Sequence, residues 1–187
     1  MNTTVIDELF EKYLKNKLSL NLQSYALDEK KSEAIIKICL EVDKEEVLIQ
    51  GEGVGLVDAG FNAYIDYFSE KHPSLSTISL SDVYFQIDTG NREVLDLKSK
   101  TLLKLEFEND KKNKTCFSDR TQSMSFTAIS VLTKAIEFYV NSELLFKRLK
   151  YLLDDAESRG RYDVASNFKY ALTKVVEVTS YQSIAQI

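Results

Sequence analysis

The sequence predicts an α+β fold built on an internal duplication: three short strands and a helix, twice, with a helix before and a helical hairpin after. Two observations carry this expectation. Apolar and polar residues alternate through 34–42, 82–88 and 103–107, the period of strands with one buried face, while apolar residues return at helical spacing through 56–69 and 122–140. Within each group the strands are joined by turn residues and not by a crossover helix, so each group of three reads as antiparallel. The predicted pieces are an N-terminal helix at 1–17, a duplicated domain at 18–142 (repeats of about 18–73 and 74–142), and a hairpin with a tail at 143–187.

Each element has its own warrant. In 4–16, Ile6, Leu9, Phe10, Tyr13 and Leu14 share a helical face, with acids early and lysines late as the helix dipole favours. A short strand at 20–27 precedes the run Ala34, Ile36, Ile38, Leu40 and Val42, which should be buried on one face. Asp43-Lys44-Glu45 makes a turn and 47–50 a third strand. The helix at 56–69 carries the stripe Val57, Phe61, Tyr64, Ile65 and Phe68, and Pro73 ends it. In the second repeat, Val83, Phe85 and Ile87 alternate with Asp82, Gln86 and Asp88, and Thr89-Gly90-Asn91 turns. Leu103, Leu105 and Phe107 form the next strand and 115–117 a short third. The helix at 122–140 buries Met124, Ala128, Val131, Leu132, Ala135 and Tyr139. Two further stripes, Leu145 to Ala156 and Ala165 to Val175, flank a break at Ser158-Arg159-Gly160 and make the hairpin; 180–187 has no decisive pattern.

Composition narrows the function. Lys plus Arg number 24 against 29 Asp plus Glu, a net charge of −5, which provides no electrostatic footprint for duplex nucleic acid. One His and two Cys are too few for a zinc cluster or a disulfide scaffold. Lys134, Glu137, Lys147, Arg148 and Lys150 interrupt the apolar stretches far short of the roughly 20 residues a membrane span needs. Asp7, Glu8 and Glu11 stand where a signal peptide would be basic and apolar, so the expectation is a cytoplasmic protein. Cys39 and Cys116 are then reduced thiols, read as small buried hydrophobes in strands. His72, beside Pro73 in a polar stretch, reads as a surface-loop residue, and Asp154-Asp155 as a solvated helix face.

The most pointed local signal is Gly51-Glu52-Gly53-Val54-Gly55 between a strand and a helix. Such a turn lets backbone approach a ligand and aims helical N–H groups at a carboxylate or phosphate; it equally permits a tight strand-to-helix connection. It is neither a P-loop nor a dinucleotide fingerprint, since no Lys-Ser/Thr follows and Leu56 stands where a third glycine would be. Before the second helix, Ser118, Ser123 and Ser125 can cap the helix or hold a polar ligand.

Gly53-Val54-Gly55-Leu56-Val57-Asp58-Ala59 resembles the Gly-x-Gly-Pro-Val-Asp/Asn-Ala motif of the C-terminal regulatory domain of 2-isopropylmalate and citramalate synthases. The order of strands and helices over residues 18–142 is similar to that domain as well. The resemblance implies pseudo-twofold symmetry, a homodimer, and binding of leucine or isoleucine near the helix-start loops, which regulates a partner synthase. Carried onto this chain, the implied ligand-binding set is Gly53, Gly55, Val57, Asp58 and Ala59 from the first loop and Ser118, Asp119 and Ser123 from the second. Two positions depart from the pattern: Leu56 replaces Pro, and 117–125 has no glycine where the family's second repeat does.

The family's catalytic half is a barrel with a His-x-His metal pair, which one histidine cannot supply. The expectation is therefore a non-catalytic chain with no cofactor, acting by dimerisation and either amino-acid sensing or docking of a partner enzyme. Residues 152–172, with Ala156, Tyr162-Asp163-Val164-Ala165 and Phe168-Lys169, resemble a UVR-type helical hairpin, a protein–protein contact; an unspecialised hairpin has the same pattern.

Overall fold

The computed structural model describes residues 4–88 and 99–178, so Thr89-Gly90-Asn91 and the tail at 180–187 lie outside the described residues. Helix α1 spans Thr4–Tyr13; β1 (Leu20–Lys30), β2 (Glu33–Val42), β3 (Glu45–Gly53) and α2 (Leu56–Phe68) form the first repeat. A 3-10 turn at Pro73–Thr77 leads to β4 (Ile78–Asp88), β5 (Lys100–Asn109), β6 (Lys114–Thr121) and α3 (Met124–Ser158), and α4 (Tyr162–Val178) follows. The fold is α+β, with two antiparallel three-stranded sheets ordered β1-β2-β3 and β4-β5-β6. The duplication extends to an irregularity. In each repeat the first strand slips register at its fourth residue, Gln23 between Leu22 and Ser24 and Ser81 between Leu80 and Asp82.

The central strands form as their alternation predicts. Ala34, Ile36, Ile38 and Leu40 on β2 and Leu103, Leu105 and Phe107 on β5 are buried, while Lys37 and Lys104 face out. Asp43 (φ 50°) and Lys44 (φ 77°) both adopt positive φ, the two-residue hairpin geometry whose twist matches the strands it joins. At the β5–β6 turn the Asn109 side chain accepts the N–H groups of Lys111 and Asn113, at 3.0 and 2.9 Å.

Other expectations change. The buried side of α2 is Ala59, Gly60, Ala63, Tyr64 and Phe68; Val57, Phe61 and Ile65 are only half-buried. Small residues take this face because α2 lies almost on β3. A Cβ on Gly51 would sit 2.4 Å from Ala59 O and Ala63 N, so only glycine allows the approach. Val83, Phe85 and Ile87 register with Leu105, Leu103 and Thr101 on the inner face, yet stay 40–45% exposed. Helix α3 lies over β5, β6 and β1, and α2 over β2 and β3; neither is packed along β4. Met124, at the start of α3, is exposed and outside the core.

The helix predicted to end at 140 runs on through the hairpin's first stripe as one helix of 35 residues. Asn141, Ser142 and Glu143, which lie between the predicted helix end and the next stripe, are buried and individually bonded. The predicted break at 158–160 is real. Gly160 takes φ +67°, the Gly160 N–H donates to Glu157 O and the Arg161 N–H to Ala156 O, the paired bonds that close a helix on a left-handed glycine. Helix α4 then folds back, burying Ala165, Ala171 and Val175. Phe168 packs edge-on to Tyr13 of α1 at 5.9 Å.

Candidate functional site

Helices α2 and α3 run in the same direction. Gly60 faces Ile129 and Leu132, Tyr64 Oη meets Thr133 Oγ1 at 2.5 Å, and further along Ser74 bonds Glu143. Both helix starts, where the predicted ligand residues cluster, therefore lie at one end of the molecule.

At the first start, the glycine-rich loop is closed by its own residues. A Cβ on Gly53 would fall 2.5 Å from Ala59 N and from Asp58 Oδ2, so this glycine is demanded by packing. Asp58 Oδ2 accepts the Val54 N–H at 3.0 Å, taking a donor that a bound anion would otherwise use. Gly55, the N-cap, is extended (φ −172°, ψ 178°), a conformation open to any residue, and has space beside it. Val57 is half-buried against the core, and Ala59 is fully buried and presents no side chain at the loop.

At the second start, hydroxyls replace glycine. Ser123 caps α3 by accepting the Phe126 N–H at 3.3 Å, while Thr121 and Thr127 share a hydrogen bond and Thr127 donates to Ser123 O. The Tyr25 hydroxyl of β1 donates to Ser125 Oγ at 2.7 Å, tying the first repeat to this end. Ser118 and Asp119 are neighbours on β6 and face opposite sides. Ser118 is exposed on the outer face, whereas Asp119 turns toward α3 and accepts from Ser130 Oγ, Lys134 Nζ (2.9 Å) and the Arg120 N–H (2.8 Å). Burial works against ionisation of Asp119, but the bonds from Ser130, Lys134 and Arg120 outweigh it and hold the carboxyl below its ordinary range.

His72 is not a surface-loop residue. Its side chain is 16% exposed, with Nδ1 buried 3.6 Å from Oε1 of Glu143, itself only 1% exposed. Glu143 Oε2 accepts the Ser74 N–H (3.2 Å) and Oγ–H (2.6 Å), and Oε1 accepts from Lys147 Nζ. The cluster clamps the 3-10 turn onto α3. The cysteines also depart from expectation. Cys39 is only part-buried and Cys116 is exposed, each on the outer face of its sheet. The hydrogen bond to the Glu46 carboxylate pushes the Cys39 thiol up and away from thiolate.

A cleft of about 650 Å³ lies elsewhere, between α1, the 14–19 connection, β6 and α3. Phe10, Phe117 and Phe138 form its apolar floor, packed edge to face at 5.3–5.6 Å. Asp7, Glu11 and Lys17 border one side, and Lys134, Glu137 and Asn141 the other. Asn141 holds the connection in place by accepting the Leu18 N–H (2.8 Å) and donating to its carbonyl (3.0 Å). Glu137 Oε2 accepts the Leu20 N–H at 2.7 Å, and burial pushes its carboxyl above the ordinary range. In the sequence, Lys134 and Glu137 register only as interruptions of an apolar run. The signal was their placement one turn apart in a helix otherwise buried around them.

Among the described residues no helix is long and apolar enough to cross a membrane. No protein-family model matches this chain, and no curated protein sequence matches it.

Proposed function

We propose that this chain is a non-catalytic regulatory and dimerisation domain, similar to the allosteric domain of the 2-isopropylmalate synthases. In this reading it responds to leucine or a related amino acid and controls a partner enzyme. The observation that carries the reading is the repeated strand–strand–strand–helix unit, its first helix entered through Gly53-Val54-Gly55 and both helix starts at one end. A ligand that favours one quaternary arrangement shifts the equilibrium by its differential affinity, and such regulation needs no catalytic group. Titration calorimetry with leucine, isoleucine and valine tests it: saturable heat from at least one is expected, and no heat with no thermal shift at millimolar ligand defeats it.

A second reading has its own support. The Thr121, Ser123 and Thr127 hydroxyls are bonded to one another and to backbone at the second helix start, and Asp58 fills the first loop. Those features favour a scaffold or adaptor that keeps the fold without an amino-acid pocket. The UVR-like hairpin supports the same reading: Leu152, Leu153, Phe168 and Leu172 are only half-buried, and Tyr151, Tyr162 and Tyr170 stand exposed along it. Recovery of a stable protein partner together with no amino-acid response selects this reading.

A further inference from the structure

We propose that β4 is the surface through which two copies of this chain pair, edge to edge and antiparallel, about a twofold axis between their Tyr84 residues. In each repeat the first strand is an edge strand with the same register slip, but only one of the two is covered. Helix α3 reaches over β1, where Leu22, Tyr25 and Leu27 are half-buried and Tyr25 is bonded to Ser125. Neither helix lies along β4, and every residue from 81 to 87 is exposed. Val83, Phe85 and Ile87 on the inner face and Tyr84 on the outer are left open to solvent. That concentration of large apolar side chains marks a contact surface.

The edge calls for a strand. Among the described residues β4 pairs with β5 alone, so its other side is a row of open backbone groups. The Val83 N–H is accepted by Asp82 Oδ1 at 2.8 Å, a local bond that a partner carbonyl can replace. Proteins guard such edges with charge or proline, and two others here carry charge: Glu45, Glu46 and Glu52 on β3, and Lys114, Asp119 and Arg120 on β6. Residues 78–88 contain no Lys, Arg or Pro.

Charge identifies the partner strand as a second β4 and fixes its register. With Tyr84 opposite Tyr84, Val83 faces Phe85 on the inner side and Asp82 faces Gln86 on the outer, where the amide can donate to the carboxylate. Moving the axis to Phe85 would set Asp82 opposite Asp88, two like charges in register. The twofold makes each contact twice. Pairing 11-residue strands with these side chains buries on the order of 1,000 Å² in total, the lower bound for a specific interface, so the dimer is reversible and of micromolar strength. The inference shares the homodimer with the reading above and needs neither its ligand nor the resemblance to the synthases.

The test is sedimentation equilibrium of the full chain and of single variants, with thermal melts as the check on folding. Tyr84 lies opposite Lys104 of β5, whose Nζ sits 5.6 Å from its ring centroid. Tyr84→Glu therefore gains an ion partner within the chain while setting two carboxylates face to face across the axis. Its dimer dissociation constant should rise at least about tenfold with the melt unchanged. Phe85→Lys should weaken the dimer likewise, and Leu48→Lys, at an exposed position on β3, should leave it unchanged. A wild-type chain monomeric up to about 1 mM, or a dimer that keeps its constant in both β4 variants or weakens equally in Leu48→Lys, overturns the proposal. Saturable heat with leucine in any of those cases leaves the amino-acid-sensing reading standing, whereas a β4-dependent dimer with no such heat upholds the interface without it.

Discussion

Gly53 and Gly55 are alike in the motif and different in the molecule. Gly53 is pressed against the first turn of α2, where a Cβ would overlap backbone, so Gly53→Ala should cost about 2–3 kcal/mol. Gly55 has extended backbone, and a Cβ there would meet Glu29 Oε1 at 3.7 Å, an ordinary contact, so Gly55→Ala should stay within about 1 kcal/mol of wild type. Urea unfolding of the pair checks this; equal losses would contradict the packing account of the loop. Asp119 and Glu137 differ in the same way in their pH behaviour. Asp119 is held below its usual range, so its stabilising contribution is present above about pH 4 and fades as pH falls through the folded value. Asp119→Asn should therefore cost about 1–2 kcal/mol at neutral pH and little in strong acid. Glu137 is shifted upward, so its ionisation destabilises the fold as pH rises through the window above its ordinary value of about 4.3. Glu137→Gln should raise the unfolding midpoint at neutral pH, with the gain vanishing below about pH 4. Denaturant melts of both variants across pH read the two signs directly.

Element by element, legibility in the sequence follows burial of a single face. β2 and β5 are plain because one side of each strand is fully buried and the other wet. β4 shows the same alternation, yet neither helix is packed along it, and a strand's own sequence cannot state which neighbour covers it. The α3 boundary is invisible for a different reason. Asn141-Ser142-Glu143 has loop-like composition, but each side chain bonds a specific distant or preceding group: Leu18, the Phe138 carbonyl and Ser74. Such partners appear only in three dimensions. Glu143→Ala removes the acceptor for the buried Ser74 N–H and hydroxyl, so it should destabilise by about 2–3 kcal/mol, seen as a lowered urea midpoint. A loss under about half a kcal/mol would mean the clamp on the 3-10 turn contributes nothing. The candidate loops were legible as loops, because glycine and serine mark turns. Their chemistry was not, because whether Asp58 faces a ligand or its own Val54 N–H depends on a rotamer.

In the whole molecule, α3 connects the parts: it covers β5 and β6, reaches over β1, forms one wall of the cleft and packs against α1 and α4. A ligand held at the start of α3 would act on an element that touches both repeats. That arrangement suits a regulator, whose work is to couple a bound molecule to quaternary state. Sedimentation equilibrium of the purified chain, with and without millimolar leucine, tests this most directly. The account predicts a dimer whose dissociation constant changes severalfold when leucine is added. A monomer at all concentrations, or a dimer indifferent to leucine, isoleucine and valine alike, would contradict it.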